Sequence, residues 1–550
     1  MSRSWISPSA AALVFVLIAI LAVHDFVRVR PLNVILLTVE SWREDSVLRE
    51  NLPHLLLESG PQGVRFTNHR AVSAWTAPNV IALLSGLSPF EQGAHTRGDS
   101  VPAEVDTVTE EFARNGWLVA GLQSFMMIDL FKNLGLDLEP GVELKHWLAR
   151  RARDRRPFYL WYQYLGTHLP YQQRFSAGDD LVKPPADGDP DLAARVAAVT
   201  TQPAVPDGSI DFLDSDKPWV DSAYIGGVRD FDEWFAEFWR FFNRTGLREN
   251  TILVVTADHG EELLERGNVG HASTTRAAHL QEEIVRVPLF VWLPPGMLDV
   301  PRGTVFTHPT DHSMIAPMLA RLVGLRGDGD GGDDTKDMGE GFPAWLPPTD
   351  KVWTAITSVA GFSEPDPGDV TKFVAAARDG DMKVQVQIGD GRIVGVEAWD
   401  LDADPDERSP LAGDDPRIAP LRRNLEAEIT GMRARTVRTS DDAAARGDVG
   451  PRWVHPGADG KIRYADIAEA AYLAWSGDAE ATHIIAYEAG SGLLALDGEI
   501  EVEGTRYDFG RIEESYWSTW VVPYGKARFR VRRADAAGRW SNWIELEFAR

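Results

Sequence analysis

Thr251-Ile252-Leu253-Val254-Val255-Thr256-Ala257-Asp258-His259-Gly260-Glu261-Glu262 is the stretch whose reading decides the fold. Thr251 to Val255 is an unbroken run of β-favouring residues, with Asn250 before it and a polar turn after it. That is the pattern of a fully buried strand. Asp258 and His259 follow just beyond its carboxyl end, the edge at which open α/β sheets collect ligands. A carboxylate beside an imidazole suits a divalent metal ion, most simply Zn²⁺ or Mn²⁺, with Ca²⁺ or Mg²⁺ as alternatives. An Asp-His-Gly triplet is also common in ordinary turns, so its meaning depends on the rest of the chain.

The chain has 550 residues, 44% hydrophobic and 25% charged, enough for two or three domains with a sizeable core. Its formal net charge of −26 argues against nucleic acid as a partner, since phosphate backbones require a basic footprint. It contains no cysteine, which removes disulfides, thiolate metal sites and a cysteine nucleophile.

Trp5 to Val23 carries no charge over nineteen residues, about 28 Å as a helix against a hydrocarbon core of about 30 Å. Ala22-Val23-His24-Asp25 offers no small-x-small cleavage site, so residues 1–30 are expected to form an uncleaved transmembrane anchor rather than a signal peptide. Arg3 precedes the segment while Arg28 and Arg30 follow it. That count leans toward a cytoplasmic body and leaves the side open.

Asn33 to Val39 is a second strand-length apolar run, ending in Glu40-Ser41-Trp42-Arg43. In Ser73-Ala74-Trp75-Thr76-Ala77-Pro78-Asn79-Val80, Pro78 sits where a helix's first turn tolerates proline. Thr76 thus lies at a helix start, which favours an anion. Trp117 to Leu122, Phe158 to Leu165 and Val287 to Leu293 read as further strands, and Tyr224 to Phe242 as a long helix with an aromatic core stripe. Strands alternating with helices predict a three-layer α/β domain with a largely parallel sheet. Residues 176–217 read as a surface insertion, Gly327 to Gly341 as a solvated Gly/Asp loop and Arg417 to Met432 as a helix. From about residue 451, short strands separated by glycine-bearing turns predict a β-sandwich. The resulting division is an anchor (1–30), a catalytic domain (31–325), a smaller subdomain (326–432), a linker (433–450) and the sandwich (451–550).

Glu40, Thr76, Asp258 and His259 all fall at predicted strand ends or helix starts, and together they make a mixed oxygen and nitrogen metal site. In this setting the chain resembles the sulfatase-like branch of the alkaline phosphatase superfamily over residues 32–430. The resemblance rests on NVILLTVESWRED, GVRFTNHRAVSAWTAPNVIALLSGLSPFEQG, WYQYLGTHLPY, the 224–263 segment, RVPLFVWLPPG, THPTDHSMIAPMLARLVGL and AWDLDADPDERSPL, in family order. It implies a metal held by Glu40, Thr76, Asp258 and His259, with Thr76 as nucleophile. It also implies that His168 helps bind the transferred group and that Arg43 or Arg97 is a charge partner. The tail resembles a fibronectin type III domain. A formylglycine sulfatase needs Cys or Ser followed by x-Pro-Ser-Arg, whereas this chain reads Thr76-Ala77-Pro78-Asn79-Val80. Threonine here and glutamate at position 40 resemble the phosphoglycerol and phosphoethanolamine transferases of bacterial envelopes. The expected substrates are therefore phosphate esters ahead of sulfate esters, including envelope lipids or glycans, with the catalytic domain in the periplasm or at the cell surface. The usual Gly-His-Gly segment is altered to Gly270-His271-Ala272-Ser273, with His279 following. His271 keeps the preceding glycine and is preferred over His279 as the substrate-contacting histidine. The alternative is an inactive sulfatase-fold surface protein that binds protein or glycan.

Overall fold

The computed structural model describes residues 32–93, 101, 105–122, 134–138, 142–169 (except 155), 171, 212–272, 278–297, 301–325, 345–346, 352–358, 373–389 and 392–445 (except 414), together with the strands of the tail. The expected anchor, the Gly/Asp loop, Arg97 and all but residues 212–217 of the insertion lie outside these residues; 212–217 form a short turn and the start of the Lys217–Arg244 helix. Among the described residues no helix is long and apolar enough to cross a membrane. The chain divides into a unit running to Leu425 and a second one from Glu426 onward, joined by a helix over Ala419–Ala445. That helix continues through most of the segment expected to be a linker, because Ala and Arg dominate it and no Gly or Pro interrupts it between Met432 and Ala445.

Among the described residues, fifteen strands build the first unit: β1 (Asn33–Val39), β2 (Val64–Arg70), β3 (Leu118–Leu122), β4 (Asp137–Leu138), β5 (Phe158–Tyr164), β6 (Thr251–Ala257), β7 (Glu262–Leu263), β8 (Val269–Gly270), β9 (Arg286–Trp292), β10 (Val305–Phe306), β11 (Thr310–Asp311), β12 (Trp353–Ser358), β13 (Phe373–Asp379), β14 (Met382–Gly389) and β15 (Arg392–Asp400). The central sheet runs β10-β2-β9-β6-β1-β5-β3-β4, with β11 also on β2. β1 is parallel to both β5 and β6, and only β9 runs against its neighbours. Its residues Asn33 to Val39 are all buried, as expected for a parallel strand covered on both faces. Val34, Leu36, Tyr159, Trp161, Ile252 and Val254 pack toward the Thr76–Ser85 and Ile315–Leu322 helices. On the opposite face, the Lys217–Arg244 helix lays Phe231 and Trp234 on Tyr164 and Tyr162, and Phe235 and Trp239 on Trp292. The aromatic stripe is core.

The antiparallel sheet β12-β13-β14-β15 docks on this layer. Trp353 Nε1 donates to Ala71 O at 3.1 Å and Ile356 N to Val72 O at 3.1 Å. In the tail, residues 453–455, 471–475 and 506–510 form one antiparallel sheet, and five strands over 461–547 form another. Within the latter only the 461–463 strand runs parallel to its neighbour.

Two buried histidines behind the Thr76–Ser85 helix are expected to make the first unit acid-sensitive. His69 and His312 are fully buried, with ring centroids 5.2 Å apart. His69 Nδ1 contacts Thr310 Oγ1 at 3.0 Å, and His312 Nδ1 contacts Asn79 Oδ1 at 3.1 Å. Burial holds both neutral. It pushes His312 down to about 3 against a contact with the Ala257 carbonyl, and holds His69 well below the ordinary range, helped by His312 and Arg70. The unfolded chain therefore takes up more protons than the folded one below about pH 6.5. Stability is expected to fall as pH drops from about 6.5 toward 3, by up to about 1.4 kcal/mol per pH unit for each histidine. Urea midpoints measured across that range check this. A midpoint slope that stays the same after His69→Leu would show that His69 is not one of the groups responsible.

Candidate metal and nucleophile site

The carboxyl ends of β1 and β6 are in register, Val39 opposite Ala257, so the next residue on each strand, Glu40 and Asp258, emerges side by side. The turn after Glu40 is abrupt, with Ser41 in the left-handed region at φ 53°, a conformation costly for a non-glycine residue. It is held there by Ser41 N donating to Asp258 Oδ1 at 3.0 Å and by Tyr224 Oη donating to Ser41 O at 2.9 Å. Glu40 and Asp258 are both buried. Gln163, near the end of β5, uses its amide nitrogen to donate to Glu40 Oε2 and to Asp258 Oδ2, clamping the two carboxylates together.

Thr76 is the first residue of its helix, after Trp75 in an extended conformation. Its Oγ1 donates to Glu40 Oε1 at 3.0 Å. The approach to it is tied down by Asn79, whose Oδ1 accepts from Val72 N and Ser73 N, and whose Nδ2 donates to Ser73 O and Trp75 O.

His259 completes the group. Its Nδ1 meets the Gly260 carbonyl at 2.8 Å, and a carbonyl only accepts, so Nδ1 carries the hydrogen. Its Nε2 has no hydrogen-bond partner and lies 3.5 Å from both Glu40 Oε1 and Asp258 Oδ2. A bare nitrogen lone pair facing two buried carboxylate oxygens calls for a positive charge between them. With a proton as the only cation, burial disfavours the charged ring, yet the Asp258 and Glu40 charges push His259 up to about 9. Burial first, and then Glu40, pushes Asp258 up to about 7. A divalent ion meets the same demand, and two hard carboxylates with one imidazole are a fitting donor set for it. Gly260 is required where it stands: a Cβ there would lie 2.1 Å from Glu283 O, because Gly260 N and Glu261 N donate to Ile284 O and Glu283 O.

His271 also reaches this place. Its ring lies 4.2 Å from that of His259 and 5.2 Å from that of His168. One ligand atom from each of Glu40, His259 and His271 fits within 4.8 Å of the others. His279 is elsewhere, with Nε2 2.7 Å from Glu262 Oε2. His168 is half-buried, and its Nδ1 bonds the Leu169 carbonyl. Arg43 departs from its expected place as a partner for the substrate anion. Its guanidinium is spent on Asp45, Glu265 Oε1 and the Glu261 carbonyl, and the Asp45 charge keeps it firmly protonated although burial opposes this. Gln163, Asn79 and Glu261 were not singled out in the sequence. A polar Gln inside the apolar 158–165 run was the one visible signal.

A largely parallel central sheet with these groups at its carboxyl edge is a sulfatase-like fold. Comparison with known proteins agrees. Residues 142–325 match the Sulfatase family model, a span that includes His168, Asp258, His259 and His271 but not Glu40 or Thr76. An ulvan-active sulfatase of Formosa agariphila is 23% identical over 346 residues, 56% of this chain and 64% of that protein. The chain thus spans a little under two thirds of that relative's length. Phosphonate monoester hydrolases from Silicibacter pomeroyi (18% identity, TM-score 0.53) and Agrobacterium radiobacter (19%, 0.51) share the fold over 74% of this chain and 95% and 96% of theirs. A 2-O GAG sulfatase does so at 15% identity and TM-score 0.52, over 76% of this chain and 94% of its own.

Proposed function

We propose that this protein is a metal-dependent hydrolase or transferase of phosphate or sulfate esters, with Thr76 as nucleophile. The reading rests on one observation above all: Thr76 Oγ1 at a helix start, hydrogen-bonded to Glu40 beside Asp258 and His259. A divalent ion held by Glu40, Asp258, His259 and Thr76 would neutralise the ester's negative charge and lower the pKa of the hydroxyl. Glu40 accepts the Thr76 hydrogen bond and is placed to receive its proton. Oγ1 attacks phosphorus or sulfur in line while its proton passes to Glu40, the bond to the leaving alcohol breaks, and the departing oxygen takes a proton from His271 or from water. The helix start behind Thr76 favours the anion, and His168 and His271, whose rings lie 5.2 Å apart, would bind it. Water or an acceptor alcohol then releases the group from Thr76.

Threonine favours phosphate over sulfate, because a sulfated alkyl hydroxyl lacks the elimination route open to formylglycine. The sulfatase and phosphonate monoester hydrolase relatives support both ester classes as candidates. The apolar 5–23 run is the reason to place the protein at a membrane; the resemblance to envelope transferases, against the flanking charge count, is the reason to place the catalytic unit extracytoplasmic with envelope lipids or glycans within reach. The paired sheets of the tail support its reading as a type III-like module.

Purified protein assayed for bound metal and against aryl phosphate monoesters, diesters, phosphonates and sulfates tests the proposal. About one equivalent of metal and turnover of a phosphate or phosphonate ester are expected. Turnover of aryl sulfates alone would reverse the phosphate preference, and a metal-free protein inert to the whole panel would favour the surface-binding alternative.

A further inference from the structure

Glu261 directly follows the Asp258-His259-Gly260 triplet, and the hairpin it opens brings it back to the site. β7 and β8 pair antiparallel, Glu262 opposite Gly270 and Leu263 opposite Val269. Extending that register by one residue sets Glu261 opposite His271, where Glu261 Oε1 lies 3.1 Å from His271 Nδ1. The two side chains are 0% and 1% exposed. A one-residue slip would send each side chain to the other face, and the loop guards against it. Glu262 Oε1 accepts from Arg266 N and Asn268 N at 2.9 Å, and Leu264 N donates to Asn268 O at 2.7 Å. The backbone of Glu261 is anchored separately, its N–H to Glu283 O and its carbonyl to Arg43.

We propose that Glu261 is a positioning residue for the transferred group: it holds His271 in its Nδ1–H form, so that Nε2 is the nitrogen that meets the substrate anion. This deepens the proposed function and rests on its reading of His271 as a substrate contact. The contact fixes the ring orientation, and a carboxylate acceptor there selects the Nδ1–H tautomer; burial pushes Glu261 well above the ordinary carboxylate range, while the neighbouring His259 charge pulls it back. Partners of this kind typically contribute 10–100-fold to the function of the histidine they hold.

The test uses the full chain. Glu261→Leu, Glu261→Gln, His271→Ala and the Glu261→Leu/His271→Ala double variant are compared for kcat/KM on an aryl phosphate diester, for bound metal, and for the ring ¹⁵N pattern of His271. Glu261→Leu should lower kcat/KM about 10–100-fold with metal content retained and the Nδ1–H pattern lost. Glu261→Gln, which keeps an acceptor, should recover most of the loss. The double variant should be no slower than His271→Ala alone. Multiplicative losses in the double variant, or a His271 pattern indifferent to Glu261, would overturn the proposal even in an active enzyme. A wild type that turns over no ester, while the ring pattern still follows Glu261, would remove the proposed activity and leave the positioning contact standing.

Discussion

Thr76→Ala is expected to lower turnover by about 10⁴-fold or more while leaving about one equivalent of bound metal. The two outcomes separate because three of the four proposed ion-holding groups remain. Thr76 contributes the hydroxyl that hydrogen-bonds to Glu40 at 3.0 Å. Glu40, Asp258 and His259 keep a charge-complementary donor set without it, clamped by Gln163 and by the turn at Ser41. Thr76 is only partly buried, and alanine fits the first turn of a helix, so folding should be barely affected. Thr76→Ser, which restores the hydroxyl, should return activity to within about tenfold of wild type. Mass spectrometry after brief reaction should find the modified threonine in wild type and nothing at position 76 in the alanine variant. If Thr76→Ala turns over substrate at the wild-type rate, another group is the nucleophile and the mechanism proposed above fails.

The largest expected effect on stability lies away from Thr76. Lys383 on β14 is fully buried, 2.8 Å from Glu407 Oε1 and 3.3 Å from Glu282 Oε1. Arg70 and Arg378 also hold Glu282, at 2.6 and 3.1 Å, but Lys383 is the cation paired with Glu407. Lys383→Met should therefore strand a buried carboxylate and cost about 3–5 kcal/mol. Glu407 carries backbone strain as well, at φ 52°, and its Oε2 accepts from Glu282 N at 2.6 Å. The effect should reach the site, because the 282–284 segment that Glu407 braces is the one that receives Gly260 N and Glu261 N. Chemical denaturation of Lys383→Met and of Lys383→Met/Glu407→Gln checks this. The double variant should regain most of the lost stability, since removing both charges leaves no unpaired one. If it is as unstable as the single variant, packing of the lysine stem rather than charge accounts for the loss.

The strands around the site were legible in the residues because the central layer is buried on both faces. Asn33 to Val39 and Thr251 to Ala257 are apolar without alternation, and no other local structure of that length buries such a run so well. The long aromatic helix was legible for a similar reason, its stripe recurring at three and four residues. β2 was not recognised: Val64 to Arg70 carries Arg, Asn and His, whose partners come from distant parts of the chain, such as Thr310 for His69 and Glu282 for Arg70. The Ala419–Ala445 helix was cut short because polarity was taken for a linker, although helix propensity persists there without an apolar stripe.

By itself the sequence determined the α/β class, the strand ends that carry Glu40 and Asp258-His259, and the threonine at a helix start, since each depends on residues that are near neighbours in the chain. Only the tertiary structure decided which of these meet. The β1–β6 register brings Glu40 beside Asp258, Gln163 joins them from β5, and the β7–β8 hairpin turns Glu261 onto His271 while leaving His279 on Glu262. Arg43, three residues after Glu40 in sequence, braces the loops around Glu261. These outcomes hang on register and on long-range hydrogen bonds, which no local pattern encodes.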